Sequence, residues 1–361
     1  MLNVTKTYMP PIELYQSYLN EIWNSGQLTN NGNLAGKIKK ELIKKLQVSD
    51  LELVSNGTVA LQLAIKALDI KGDIITTPFS YVATTTSILW ENCMPVFVDI
   101  DTDNFCINPD LIEQAITEKT SAILATHVYG YPCNVEKIQA IADKYDLKVI
   151  YDAAHAFGVQ YKGRSILEYG DISTLSFHAT KLFHTGEGGA IVSNNKDIIN
   201  RVNLLKNFGH IGEDNYLSVG INAKMSELHA AMGLCVLPEI DNIIEHRKKC
   251  VEYYDYLFTT VKGIYRPKIN NDTVYNYAYY PVVFDSYEKL TTIREKLIDN
   301  EILPRRYFYP SLNNLPYLQS SFSCPISESI CNRVLALPLS AELKDDEIVK
   351  VVDVIKLCLQ L

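Results

Sequence analysis

A chain of 361 residues with 47% apolar and 21% charged residues has the composition of a globular protein of about two domains, which excludes a disordered, fibrous or disulfide-stapled chain. Its 42 acidic against 34 basic residues give a net charge of −8, which argues against a general affinity for nucleic acid. No stretch approaches the ~20 apolar residues that span a bilayer, so no membrane insertion is expected.

The eight cysteines (Cys93, Cys106, Cys133, Cys235, Cys250, Cys324, Cys331, Cys358) contain no C-x-x-C pair, so neither a zinc ribbon nor a disulfide framework is expected, and a reducing cytoplasm fits. The N-terminal MLNVTKTYMPPIELYQ lacks the basic and apolar runs of an export signal.

In chain order, Leu34, Ile38, Leu42 and Leu46 recur every fourth residue, which predicts an amphipathic helix with a solvated lysine face (Lys37, Lys39, Lys40, Lys44, Lys45). Short apolar runs then predict strands near 52–54, 73–77, 95–98, 122–126 and 148–151, alternating with helices near 59–68, 82–91, 110–116 and 135–145. This βαβ series predicts an α/β fold with a mainly parallel sheet flanked by helices, because parallel strands need crossover connections. Ligands then gather at the strands' C-terminal ends. Strands at 172–177 and 190–193 leave no room for a helix between them, so the sheet is irregular there.

From residue 223 a helix runs to about 236, Pro238 breaks it, and a second helix reaches about 258. A strand at 275–284, a helix at 287–300, a proline- and aromatic-rich loop at 303–317 and a terminal helix at 345–359 follow. The change of pattern predicts a large domain over 1–240 and a smaller α+β domain over 241–361.

Three segments have chemical content. The strand ending at Val54 runs through Ser55-Asn56-Gly57-Thr58 into a helix, which suits a phosphate or is a plain capped turn. The strand ending at Tyr151 leads into Asp152-Ala153-Ala154-His155, where a carboxylate could keep a heteroaromatic nitrogen protonated or cap the next turn. Ser176-Phe177-His178-Ala179-Thr180-Lys181 leads to the glycines at 186, 188 and 189, and its lysine is either a surface residue or an imine-forming amine. His178 and His184 lack a completing cysteine or carboxylate, so no metal site is expected. Together the three segments meet the requirements of pyridoxal 5′-phosphate, which needs its phosphate held, its pyridine protonated and its aldehyde bonded.

The chain resembles the DegT/StrS-type nucleotide-sugar aminotransferases, a branch of the fold-type I pyridoxal-phosphate enzymes. The resemblance covers nearly its whole length, through TNNG at 29–32, VSNGTVALQLAI, TTPFSYVAT, YDAAHAFG, GDISTLSFHATKLFHTGEGGAIV and GINAKMSELHAAMGL. It implies that Lys181 bonds the cofactor aldehyde, Asp152 pairs with the pyridine nitrogen, His155 lies over the ring and Tyr81 stacks on it. It implies a phosphate cup of Gly57, Thr58 and Ser176, completed by Asn222 of a neighbouring subunit, and hence a homodimer with shared active sites. His178, Glu187, Arg305, Arg306, Tyr307 and Tyr309 lie in segments resembling those that face substrate.

Related dehydratases have histidine at the lysine position, so Lys181 favours amino transfer. SFHATK with TGEGG is similar to members acting at carbon 4 of 4-keto-6-deoxy sugars. The implied reaction moves the amino group of L-glutamate to dTDP-4-keto-6-deoxy-D-glucose, giving dTDP-4-amino-4,6-dideoxy-D-glucose for surface polysaccharide, with ping-pong kinetics. The alternatives are a 3-keto sugar, a UDP- or GDP-linked sugar, or a cofactor-binding regulatory protein without turnover.

Overall fold

Seven strands form the main sheet: β1 (Leu51–Val54), β2 (Asp73–Thr76), β3 (Met94–Phe97), β4 (Thr120–Thr126), β5 (Lys148–Asp152), β6 (Ile172–Ser176) and β7 (Gly189–Val192). The structure, a computed structural model, describes residues 1–318 and 322–359. The sheet order is β1-β7-β6-β5-β4-β2-β3, and every pairing is parallel except those of β7. The expected mainly parallel sheet is therefore present, and its irregularity is β7, inserted antiparallel between β1 and β6. Helices Gly57–Ala67, Val82–Trp90 and Val135–Tyr145 make crossovers, matching the sequence pattern to within a few residues.

Insertion of β7 brings two distant turns together. Gly189 lies opposite both Val54 and Ser176. A Cβ there would fall 2.7 Å from the Leu175 carbonyl oxygen and 2.8 Å from that of Asn56, so only glycine lets the ends of β1 and β6 approach so closely.

The predicted amphipathic helix is Asn33–Leu46, with Leu34, Ile38, Leu42 and Leu46 buried. Burial of each such side chain contributes about 1.5–3 kcal/mol. No side chain of its own caps the helix start. Instead the buried Glu227 carboxylate accepts from the Leu34 N–H at 2.7 Å and the Ala35 N–H at 2.8 Å, a negative charge at the positive end of the helix dipole. Gly32 makes room for it, since a Cβ there would sit 2.5 Å from Glu227 Cδ.

Three sequence expectations are corrected. The helix expected from 223 begins at Glu227, because the Ser226 hydroxyl caps it, accepting from the His229 N–H. Around Pro238 the expectation holds: the α-helix Glu227–Val236 ends there, and the 3₁₀ turn Leu237–Glu239, with proline in its first turn where the missing N–H is not needed, leads into a second helix, Ile240–Phe258. The helix expected at 110–116 is a 3₁₀ turn, Pro109–Leu111, and a single α turn, Ile112–Ala115. The strand expected at 275–284 pairs in the smaller sheet only over Tyr280–Phe284. Before it, the Asn276 amide turns away to donate to the carbonyls of His155 and Phe157, both at 2.9 Å. A helix at Ile12–Ser25 was not predicted.

The C-terminal part builds a three-stranded antiparallel sheet of β8 (Ile264–Tyr265), β9 (Tyr280–Phe284) and β10 (Val334–Leu337), in that order. Residues of helices Ile240–Phe258, Tyr287–Asp299 and Asp345–Leu359 pack with it in an apolar cluster of their own, around Tyr254, Tyr280, Leu297 and Val351. Arg305 is tied to this sheet by backbone bonds to Ala336, and so carries the aromatic loop toward the main sheet.

Candidate active site

A cavity of about 730 Å³ opens at the C-terminal ends of β1, β4, β5 and β6, where a doubly wound sheet gathers ligands. One end is the start of helix Gly57–Ala67. Asn56, in extended backbone, accepts from the Val59 N–H at 2.9 Å, and the Ala60 N–H reaches the Asn56 carbonyl. The N–H groups of Gly57 and Thr58 have no partner among the described residues. Ser176 stands against this turn: a Cβ on Gly57 would lie 2.8 Å from that of Ser176. Two open amides and a hydroxyl at a helix N-terminus form a cradle for a phosphate.

At the other end Asp152 closes β5 and is buried. Its Oδ2 accepts from the Thr84 hydroxyl at 2.8 Å and its Oδ1 from the Ala154 N–H at 3.1 Å. Burial pushes its pKa up, while those two bonds and the charge of Lys181 pull it down. A buried carboxylate so held is a suitable partner for a cationic ring nitrogen.

His155 is buried and lines the cavity. Its Nδ1 accepts from the Tyr129 N–H, so in the neutral ring the proton sits on Nε2. Burial, reinforced by Lys181, holds its pKa well below the usual imidazole range. The Phe308 ring lies parallel to it at 5.6 Å, and Tyr279 is tilted against it at 4.6 Å.

Lys181 lies in the connection from β6 to β7. The loop is tied by Phe177 N–H to Gly188 O at 2.8 Å, Thr185 N–H to Phe177 O at 2.9 Å and Lys181 N–H to His178 O at 2.8 Å. Below it Phe177 and Phe183 are fully buried, and Phe183 stacks on Phe157 at 4.8 Å, so apolar packing anchors a polar loop. Burial lowers the Lys181 pKa, opposed by the charge of Asp152 and by Tyr307 and Tyr81. A lysine shifted this way supplies more free amine near neutral pH, as an imine-forming or proton-carrying lysine requires. The donor cradle, buried carboxylate and amine in one cavity fit pyridoxal phosphate.

Of the other expected site residues, Tyr81, His178, Glu187, Arg305 and Tyr307 line the same cavity. Tyr81 is 59% exposed at its mouth. His178 Nε2 and Glu187 Oε1 lie 3.8 Å apart on the rim. Arg306 and Tyr309 do not line the cavity. The Arg306 guanidinium lies 3.3 Å from the Tyr309 ring centroid and donates to the Cys331 carbonyl, so the two pack on each other. Asn222 is exposed, bridged to Asn207, and does not line this chain's cavity. Sequence reasoning missed Ser80, Thr126, Tyr279 and Phe308 on the cavity wall and Thr84 behind Asp152. The threonine run at 84–86, on a helix leaving a strand end, was the available signal for Thr84. Among the described residues no group of three or more His, Cys, Asp or Glu could hold a metal ion, and no helix is long and apolar enough to cross a membrane.

Residues 12–356 match the DegT/DnrJ/EryC1/StrS aminotransferase family. Over 360 residues, 98% of each chain, the protein is 42% identical to the dTDP-4-amino-4,6-dideoxy-D-glucose transaminase of Shigella dysenteriae. It is 33% identical over 338 residues, 92% of each chain, to the GDP-perosamine synthase of Escherichia coli O157:H7. Among solved structures, DesI in the presence of its TDP-sugar product superposes with a TM-score of 0.94 at 30% identity, over 99% of this chain and 93% of that one.

Proposed function

The chain belongs to the DegT/DnrJ/EryC1/StrS aminotransferase family, and we propose that it transfers the amino group of L-glutamate to carbon 4 of dTDP-4-keto-6-deoxy-D-glucose, giving dTDP-4-amino-4,6-dideoxy-D-glucose. It is a pyridoxal-phosphate-dependent aminotransferase. The observation that carries the substrate assignment is the 42% identity to a dTDP-4-amino-4,6-dideoxy-D-glucose transaminase along 98% of both chains.

Bound pyridoxal phosphate supplies an aldehyde for the amino group and an electron-poor ring that stabilises negative charge on the donor's α-carbon. In this reading the Gly57 and Thr58 amides and the Ser176 hydroxyl hold the phosphate. Asp152 keeps the ring nitrogen protonated by ion pairing. Lys181 would be the residue that holds the aldehyde, and its amine, when free, could carry a proton to or from the donor's α-carbon. His155 and Tyr81, both on the cavity wall, would flank the ring. Arg305 and Tyr307 face the nucleotide sugar, with Arg305 placed for the diphosphate, and His178 and Glu187 border the sugar. Arg306 and Tyr309 act by bracing the loop that carries Arg305 and Tyr307.

Residues 1–240 form the cofactor domain and 241–361 close the substrate side. The enzyme works as a homodimer: the segment before Asn222 exposes Phe208, Ile211, Tyr216, Leu217 and Val219, an apolar surface that suits a second copy. Asn222 then completes the partner's phosphate site. Eight free cysteines suit a reducing cytoplasm, and surface polysaccharide is the fitting destination of the product.

The test is a panel of dTDP-, GDP- and UDP-linked 4-keto and 3-keto sugars incubated with holoenzyme and L-glutamate, with product identified by mass spectrometry and NMR. Highest kcat/KM for the dTDP-linked 4-keto sugar, with matching release of 2-oxoglutarate, is expected. Preference for the GDP-linked sugar would move the assignment toward the synthase that is 33% identical.

A further inference from the structure

Beside Asp152 three hydroxyls stand in series, running from Thr126 and Ser80 on the cavity wall to Thr84, which does not line the cavity. Thr126 at the end of β4 lies beside Asp152 in the parallel register. Its Oγ1 donates to Ser80 Oγ at 3.1 Å, Ser80 Oγ is 2.8 Å from Thr84 Oγ1, and Thr84 Oγ1 donates to Asp152 Oδ2 at 2.8 Å. All three residues are buried, with exposures of 3%, 2% and 0%.

The direction of the series is fixed by chemistry. An ionised carboxylate only accepts, so the Thr84 proton goes to Asp152. The Thr84 oxygen is then open to the Ser80 proton, and the Ser80 oxygen accepts from Thr126. Each bond polarises the next, in surroundings where an unpaired carboxylate would be costly. Three separate elements, the end of β4, the turn after β2 and the helix Val82–Trp90, thus converge on one oxygen.

We propose that the chain Thr126–Ser80–Thr84 is a positioning device that holds Asp152 charged and aimed at the cofactor's ring nitrogen. This rests on the reading of Asp152 given above. The charged and titratable groups facing Asp152 are Lys181 from the β6–β7 loop and the Cys133 thiol from the segment after β4. Lys181 favours the charged carboxylate, burial opposes it, and the Thr84 bond is the leading favourable contribution. The signal therefore comes through Thr84 rather than through a second basic residue.

Thr84→Val keeps the shape and removes the hydroxyl, while Thr84→Ser keeps the hydroxyl. For Thr84→Val, apoprotein titrated with pyridoxal phosphate is expected to bind about tenfold more weakly, and the acid limb of cofactor binding moves up by about one pH unit. Thr84→Ser restores both. Should Thr84→Val match the parent in affinity and pH limb, or Thr84→Ser fail to restore them, the proposal is overturned. Should Thr84→Val not fold by circular dichroism, Ser80→Ala decides: a smaller upward shift of the same limb supports the chain and none overturns it. Asp152→Asn separates this inference from its premise. Undiminished cofactor affinity and turnover there defeats the reading of Asp152 itself, whereas loss there with an unchanged Thr84→Val defeats only the hydroxyl chain.

Discussion

Tyr129 gives its backbone N–H to Nδ1 of His155 at 3.2 Å, and its hydroxyl donates to the Tyr307 carbonyl, so one residue fixes both the imidazole and the loop that carries Arg305 and Tyr307. Tyr129 holds this position with φ of +56°, a left-handed conformation uncommon for a bulky residue. Replacing His155 should therefore disturb more than one contact. His155→Ala leaves the Tyr129 N–H buried without an acceptor, at a cost of about 1–3 kcal/mol. His155→Asn, which can offer a carbonyl oxygen, should recover part of that stability. Urea denaturation of the two apoproteins gives the difference, and equal stability would show that the Nδ1 acceptor is unimportant.

His127, at the end of β4, is buried with Nδ1 accepting from the Cys133 N–H at 3.1 Å and Nε2 without a partner among the described residues. Burial lowers its pKa from 6.5 to about 3. The unfolded chain then binds one more proton than the folded chain between those values. Stability consequently falls as pH drops below 6.5, by up to about 1.4 kcal/mol per unit from this one residue, until the folded ring also protonates. His127→Phe keeps the stacking on Tyr151 and removes the titration. Although less stable at neutral pH, it should show a shallower loss between pH 6 and 4, on the order of one proton less in the slope. An unchanged slope in denaturation series across this range would contradict a neutral buried His127.

Lys181→Ala should abolish turnover and covalent attachment of the cofactor while leaving the fold intact, since the loop is tied by its backbone and by Phe177 and Phe183 rather than by the lysine side chain. Borohydride reduction of the parent holoenzyme, digestion and mass spectrometry should place a pyridoxyl group on the peptide containing residue 181. A pyridoxyl group on another lysine would reassign the role.

The alternation of strands and helices was readable because fully buried parallel strands are continuous apolar runs and their crossovers carry helical periodicity. The place of β7 was not, because strand order is settled by long-range pairing: nothing local to residues 189–192 says that they slide between β1 and β6. Lys181, Asp152 and the Gly57 turn were legible as motifs, since each stands where a strand ends. Arg305 and Arg306 were not separable, because adjacent residues in an irregular loop point apart in a way set by the Tyr309 ring and the Cys331 carbonyl. Asn276, which ended the expected strand early, does so through bonds to residues 119 and 121 positions away.

That separation of the two arginines has a kinetic consequence. Arg305 lines the cavity, is exposed, and has no ion pair among the described residues, whereas Arg306 is engaged by Tyr309 and Cys331. Charge-assisted hydrogen bonds of a guanidinium to a diphosphate are worth about 1.5–3 kcal/mol, so Arg305→Ala should raise KM for the nucleotide sugar by roughly ten- to a hundredfold. The half-reaction with L-glutamate, which involves no diphosphate, should proceed at the parent rate in a stopped-flow absorbance measurement. Arg306→Ala instead loosens the loop, lowering thermal stability with a smaller change in KM. If Arg306→Ala raised KM more than Arg305→Ala, the diphosphate would have to be met by the residue that now stacks on Tyr309, and the loop would have to rearrange when substrate binds.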